Sequence, residues 1–283
     1  MFNQIGLVLE GGGMRGVYTA GVLEYFLEND FIFPYVIGVS AGACNAASYL
    51  SRQKGRNKKV TIDYSSHPDY ISYKNLFRKG QLFGMDLIFD DIPNRLVPFD
   101  YETFHNTKEK FVIGTTDCLS GSPVYFEKNE HKENVLTLLR ASSSLPLMAP
   151  IIQYDDRYLL DGGIADPIPI KKSESDGNKK NVVVLTRNPG YRKKKFKGKW
   201  LFKRKYREYE GLIDSLENRP EQYNRTIDYI EQKDNDSVFV IQPTSPMEVG
   251  RIERNPKKLL SLYKHGYNDA KKAHSRLEEW LHK

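Results

Sequence analysis

Apolar residues in this chain gather in short uninterrupted runs rather than alternating with polar ones. Ile5–Leu9, Tyr35–Val39 and Lys110–Thr116 are rich in Val, Ile and Leu and too short for helices. Such runs predict strands buried on both faces, as in a sheet covered by helices. Asn181–Thr186 and Ser237–Gln242 predict two more strands, and Tyr158–Leu160 a short one. Val124–Phe126 follows a Gly121-Ser122-Pro123 turn as partner to the 110–116 strand.

Elsewhere the period lengthens. Val17–Asn29, Ala41–Leu50, Asn134–Ser142, Tyr206–Glu231 and Pro256–Lys283 predict helices. The last carries Leu259, Leu262, Tyr263, Tyr267, Ala270 and Leu277 on one stripe. Ser51–Lys59 is polar and basic and predicts a loop. Residues 60–87 hold Tyr64, Tyr70, Tyr73, Phe77 and Phe83 without clean periodicity. They suit either an aromatic cap beside a site or irregular helices over the sheet. Asp90–Arg95 marks a helix start; its paired acids suit a solvated cap, because no His or third carboxylate stands at ligand spacing.

Alternating strands and helices predict a three-layer αβα protein with a mainly parallel central sheet. We expect a catalytic domain over residues 5–170. Residues 171–283 form a C-terminal extension with two further strands, a basic-aromatic segment and helices, continuous with the core.

Composition narrows the picture. The 283 residues suffice for one sizeable core. No apolar run approaches the ~20 residues of a membrane helix. A strand begins almost directly after Met1, which argues against a signal peptide. Cys44 and Cys118 make neither a disulfide framework nor a metal site, and Cys44 reads as a buried structural thiol. These features predict a cytoplasmic protein without metal or cofactor.

The formal charge is +7, and residues 191–207 (YRKKKFKGKWLFKRKYR) carry ten basic side chains and no acid. Interleaved Phe196, Trp200, Leu201 and Phe202 suit peripheral contact with an anionic membrane. The same composition suits nucleic acid or a solvated basic face; nucleic acid is the less favoured reading.

Two glycine-rich turns carry the chemistry. Gly38-Val39-Ser40-Ala41-Gly42 sits between a strand and a helix, where a serine on a sharp turn projects its hydroxyl. Gly11-Gly12-Gly13-Met14-Arg15-Gly16 sits at the preceding strand–helix junction. Its consecutive glycines let backbone N–H groups converge on an anion, as acyl transfer requires. The same letters satisfy a dinucleotide fingerprint, but the second strand ends without the acid that a ribose needs. Arg15 belongs either to the anion site or to the loop's own scaffolding. Further on, a strand delivers Asp161 into Gly162-Gly163, with Asp166 as its local competitor. Ser142-Ser143-Ser144 before Leu145-Pro146 reads as helix-terminal packing.

In this order the three elements resemble the bacterial patatin-like phospholipases. GGGMRG follows the first strand, GVSAG the second, and DGG comes about 120 residues later, after Ala141–Pro146. The resemblance covers residues 5–170. It implies lipid acyl hydrolysis by a Ser/Asp dyad, without a catalytic histidine and without calcium. By position, Ser40 is the nucleophile, Asp161 its base, and the N–H groups of Gly11, Gly12 and Gly13 the oxyanion hole. Met14, Arg15, Gly16, Gly38, Gly42, Gly162 and Gly163 support them. Glu10 departs from the pattern, since many members have Asp or Gly there, and Gly163 stands where plant members commonly have Ala.

An aspartate with pKa ~3.9 is a poor base, so the dyad needs burial and positioning. The rival is a Ser-His-Asp triad using His265 or His274, which follow Asp161 in the chain. A soluble carboxylesterase or acyltransferase with the same dyad is a further alternative. So is a nonenzymatic anion- or nucleotide-binding protein.

Overall fold

The computed structural model describes residues 4–195, 198–233 and 236–283. Phe196, counted above among the interleaved aromatics, lies outside them. Eight strands form one sheet: β1 (Ile5–Leu9), β2 (Tyr35–Val39), β3 (Lys110–Asp117), β4 (Pro123–Glu127), β5 (Ile152–Tyr154), β6 (Arg157–Asp161), β7 (Lys180–Val184) and β8 (Val238–Ile241). The first six α-helices are α1 (Val17–Glu28), α2 (Ala41–Leu50), α3 (Arg56–Thr61), α4 (Tyr73–Lys79), α5 (Tyr101–Asn106) and α6 (Val135–Ser142). Then come α7 (Ile170–Ser175), α8 (Lys199–Lys205), α9 (Glu210–Gln232) and α10 (Pro256–His282). A π-helix spans Leu87–Leu96.

The sheet order is β5-β6-β3-β2-β1-β7-β8, with β4 also on β3. β3, β2, β1, β7 and β8 run parallel, while β4, β5 and β6 add an antiparallel corner. Side chains leave each strand alternately for two cores. Leu7, Leu9, Val36, Phe111, Ile113, Val182 and Val184 meet α1, α2, α6 and α10. Val8, Ile37, Val112 and Val183 meet α7 and α9 through Ile170, Tyr223, Ile227 and Ile230. Both faces are therefore dry, and the strands read as continuous apolar runs.

One junction matters most. β4 follows a single edge of β3, pairing Tyr125 with Gly114 and Val124 with Thr115. The other edge is shared end to end. β2 pairs along it up to Val39↔Gly114, and β6 takes over from the opposite direction at Asp161↔Thr115. The ends of β2 and β6 thus abut on neighbouring residues of β3. Only glycine fits the seam: a Cβ at Gly162 would stand 2.1 Å from the Gly114 carbonyl oxygen.

A second close approach ties the end of the chain to its beginning. α10 crosses α1 at backbone contact; a Cβ on Gly21 would lie 2.0 Å from the Tyr263 carbonyl oxygen, and one on Gly266 2.0 Å from that of Tyr18. Tyr18 donates to Asp269 (3.0 Å) and Tyr267 to Glu28 (2.5 Å) across this crossing.

Some expectations need correction. The predicted loop 51–59 contains the start of α3, because Arg56 is drawn in by Ser48, the Val97 carbonyl and the Phe99 ring. β5 was not foreseen; three residues leave no periodicity to detect. The helix expected from Tyr206 begins at Glu210, after the separate α8. The Asp90–Arg95 helix start lies inside the π-helix, where Asn94 donates to Asp90 and Arg95 pairs with Asp91.

Candidate active site

Ser40 stands where β2 hands over to α2. It is buried, with φ +54° and ψ −128°, a conformation that strains any residue with a Cβ. Gly38 and Gly42 give the turn its room, against the α2 backbone and the Leu9 carbonyl respectively. The Ser40 N–H donates to Ser142 Oγ (2.8 Å), whose hydroxyl donates to the Gly114 carbonyl (2.6 Å). Ser142 therefore pins the turn to the β3 edge, a role that reading it as helix-terminal packing missed. Ser143 and Ser144 serve the scaffold, touching Cys44 Sγ and the Arg140 carbonyl.

Asp161 reaches Ser40 through the end-to-end junction. Its Oδ1 accepts the Gly163 N–H at 2.8 Å. The Ser40 hydroxyl comes close enough to stabilise the carboxylate, but short of an aligned hydrogen bond, and Asp161 Oδ2 has no partner. Such looseness is common in unliganded sites. Burial raises the Asp161 carboxyl above the ordinary aspartate range; Arg219, Ser40, Gly163 and Arg251 oppose the rise. The shift answers the basicity problem posed by the sequence. Arg219 Nε donates to the Gly163 carbonyl (2.6 Å), and a Cβ on Gly163 would lie 3.0 Å from the Asp161 carboxylate.

The glycine loop packs directly on the nucleophile turn: a Cβ at Gly11 would stand 3.2 Å from Ser40 Cβ. The three N–H groups are not equivalent. Gly11 donates to the Pro167 carbonyl at 3.5 Å, and Met14 to the Arg251 carbonyl at 3.1 Å. Gly12 and Gly13 have no acceptor among the described residues. Gly13 adopts φ +58°, the left-handed region that favours glycine. Gly16 packs on Ala41. Glu10 is buried and anchors the loop's start by accepting the Thr186 N–H at 2.5 Å.

Ser40 and Leu145 divide two clefts. On one side lies an apolar groove of about 110 Å³, lined by Met14, Val60, Tyr70, Phe83, Met85 and Phe89. On the other, Arg15, Arg187, Lys193, Arg219 and Arg251 surround the Asp161 side. Cys44, read as a buried structural thiol, is half-buried and lines the groove. Burial pushes its thiol up to about 11, so it stays protonated at neutral pH.

No histidine lines either cleft. His265 and His274 lie on α10, engaged with Asp269 and Tyr18 and with Tyr25 and Glu278. Asp166, the competitor of Asp161, faces away and accepts from Tyr125 (2.6 Å). Among the described residues no three His, Cys, Asp or Glu side chains gather as metal ligands.

Comparison with known proteins gives the family and the fold. The family model for patatin-like phospholipases matches residues 7–172. The chain belongs to the patatin-like phospholipase family. A second model, a domain of unknown function termed DUF6363, matches residues 209–282. The uncharacterized YjjU protein of Escherichia coli is 32% identical over 189 residues, 65% of this chain and 52% of that protein. A probable lipid hydrolase, 463L, of Invertebrate iridescent virus 6 is 25% identical over 62% of this chain and 65% of its own. A lysophospholipase, nte1, of Aspergillus terreus is 27% identical over 59% of this chain but 11% of its own length. The matched region thus spans about half of the bacterial relative and a small part of the fungal one. Among solved structures, VipD from Legionella pneumophila aligns with a TM-score of 0.50 and 14% identity, over 95% of this chain and 66% of that one. That likeness concerns the patatin-like fold alone.

Sequence reasoning missed Ser142 and four of the five cations. Arg219 left one signal: it falls beside the stripe of Leu212, Leu216, Tyr223, Ile227 and Ile230 on α9, where a solvated arginine does not belong.

Proposed function

We propose that this protein is a lipid acyl hydrolase that cleaves fatty acyl esters through Ser40 and Asp161. The observation that carries the reading is the junction on β3, which brings a strained serine against a buried aspartate whose second oxygen is free. Ser40 Oγ attacks the acyl carbonyl carbon and passes its proton to Asp161. The N–H groups of Gly12 and Gly13 receive the charge developing on the carbonyl oxygen. Collapse breaks the ester bond; the leaving alcohol takes the proton from Asp161, and the acyl group stays on Ser40. Water then gives a proton to Asp161 and attacks the acyl-enzyme, releasing the fatty acid as Ser40 recovers its proton. The apolar groove takes the chain.

A fluorophosphonate tests this through intact mass. Wild type gains one adduct, Ser40→Ala none, and Asp161→Asn reacts ~10³-fold or more slowly, by analogy with the loss of a catalytic base elsewhere. An undiminished adduct on Ser40→Ala sinks the assignment.

Peripheral contact with an anionic membrane through residues 191–207 belongs to the same reading. The segment divides in two. Arg192 pairs with Asp228 and Glu231, and Lys193 turns into the cationic cleft. α8 then exposes Trp200 and Leu201, while Lys199 and Lys203 pair with Glu217. α4 adds exposed Tyr73 and Phe77 beside Lys74, Arg78 and Lys79. Basic residues with outward aromatics suit an anionic bilayer surface. Among the described residues no helix is long and apolar enough to cross a membrane.

A further inference from the structure

The cationic cleft holds more charge than the dyad uses. Five cations line it against two carboxylates, Glu10 and Asp161. None of the five forms a salt bridge among the described residues. Arg15 is 4% exposed, and its Nε has no hydrogen-bond partner. Burial first, and then neighbours of like sign, push Arg15, Arg219 and Lys193 down. Arg187 and Arg251 act on Arg15, Arg251 acts on Arg219, and Arg219 with Arg251 helps hold Lys193 well below the usual lysine range, so that a bound anion also favours its protonated form. Cations crowded around a buried arginine, and without a salt-bridge partner, are unfavourable unless an anion joins them.

Their origin is as informative as their number. Arg15 comes from the glycine loop. Arg187 follows β7, Lys193 opens the basic segment, Arg219 lies on α9 and Arg251 precedes α10. Lys193 is pinned through its backbone by Asn224 (2.7 and 3.1 Å), and its ammonium lies 4.1 Å over the Tyr223 ring. Arg187 lies 4.3 Å over Tyr191. Since Ser40 divides this cleft from the apolar groove, an ester with its chain in the groove directs its alcohol part among the cations.

We propose that the cationic cleft binds the phosphate of an amine-free anionic phospholipid, of the phosphatidylglycerol or phosphatidate kind, and selects such lipids over zwitterionic ones. The proposal rests on the hydrolase reading above. Guanidinium forks match phosphate oxygens in geometry and charge. A choline headgroup brings a further cation toward a cleft already crowded with arginines. The cleft is narrow as it stands, about 20 Å³, so half-exposed Arg187, Lys193 and Arg251 must draw back around the incoming phosphate.

Monomeric dihexanoyl lipids below their micellar concentration test this without bilayer binding. We expect kcat/KM for dihexanoyl phosphatidylglycerol to exceed that for dihexanoyl phosphatidylcholine by about tenfold or more. In the Lys193→Gln, Arg251→Gln double variant the ratio falls toward one; if that variant misfolds, Arg187→Gln lowers it by a smaller factor. A wild-type ratio near one, with p-nitrophenyl butyrate still hydrolysed, overturns the headgroup assignment and leaves the hydrolase standing. Competitive inhibition by inorganic phosphate without lipid preference assigns the cleft to free anions and likewise overturns it. The absence of both ester turnover and a fluorophosphonate adduct brings down the hydrolase reading, and this proposal with it.

Discussion

The two walls of the candidate site are built in opposite ways. The wall from the patatin-like region, matched over residues 7–172, works through backbone: a strained serine, a left-handed glycine, two free N–H groups and an aspartate delivered by a strand end. The wall from beyond residue 172 works through long side chains that reach inward from a loop, a helix and two connecting segments. Chemistry needs fixed geometry, which strands and tight turns supply. A charged surface for a flexible headgroup needs sign and reach, which arginines supply from many backbones. The first kind of wall is recorded in short motifs. The second is scattered along the chain.

Removing one wall is the severest way to test how far they are separable. A chain ending at residue 172 lacks β7, the parallel neighbour of β1, and α10, which crosses α1 at backbone contact. We expect it to give no cooperative unfolding transition and no fluorophosphonate adduct. A folded, labelled fragment would mean that the catalytic wall stands alone.

A finer probe reads the coupling between the walls. In the proposed mechanism Asp161 must be ionised to take the serine proton, and its carboxyl lies above the ordinary aspartate value of ~3.9. The acid limb of kcat/KM on p-nitrophenyl butyrate therefore lies above that value. Arg219, from the second wall, holds the carboxyl down. Arg219→Gln moves the limb to higher pH, and an unmoved limb would uncouple the walls. The smallest effect concerns the outer surface. Neutralising Lys194, Lys195, Arg204 and Lys205 lowers co-sedimentation with phosphatidylglycerol vesicles by a few-fold, because salt screens most of the about 1 kcal/mol that each basic residue near the surface can contribute. Unchanged sedimentation counts against membrane contact through this segment.

What the sequence made legible follows the same division. The central strands and the helices at 41–50 and 256–282 were readable because burial on both faces or on one stripe leaves a periodic record. Ser40 and Asp161 could be picked out because a tight turn restricts which residues surround it. The β2/β6 junction could not, because it depends on two strands meeting on an edge of a third. Ser142 was hidden among three serines that differ only in where α6 ends. The cations were hidden for a different reason: Lys193 sits in a run of basic residues, of which Lys194 and Lys195 face outward and Arg192 pairs with α9. Residues 60–87 remained ambiguous because their aromatics do both things proposed for them. Tyr70 and Phe83 line the groove, whereas Tyr73 and Phe77 face outward.

The glycine crossing of α1 and α10 sets the order of events during synthesis. β1 leaves the ribosome well before one of its neighbours, made at residues 180–184, and before the helix that clasps α1, made at 256–282. Domains fold as units while translation proceeds at ~5–20 residues per second. A chain stalled midway therefore holds Ser40 and Asp161 without the frame that aligns them. Interrupted translation is thus expected to yield a protease-sensitive fragment that takes up no fluorophosphonate.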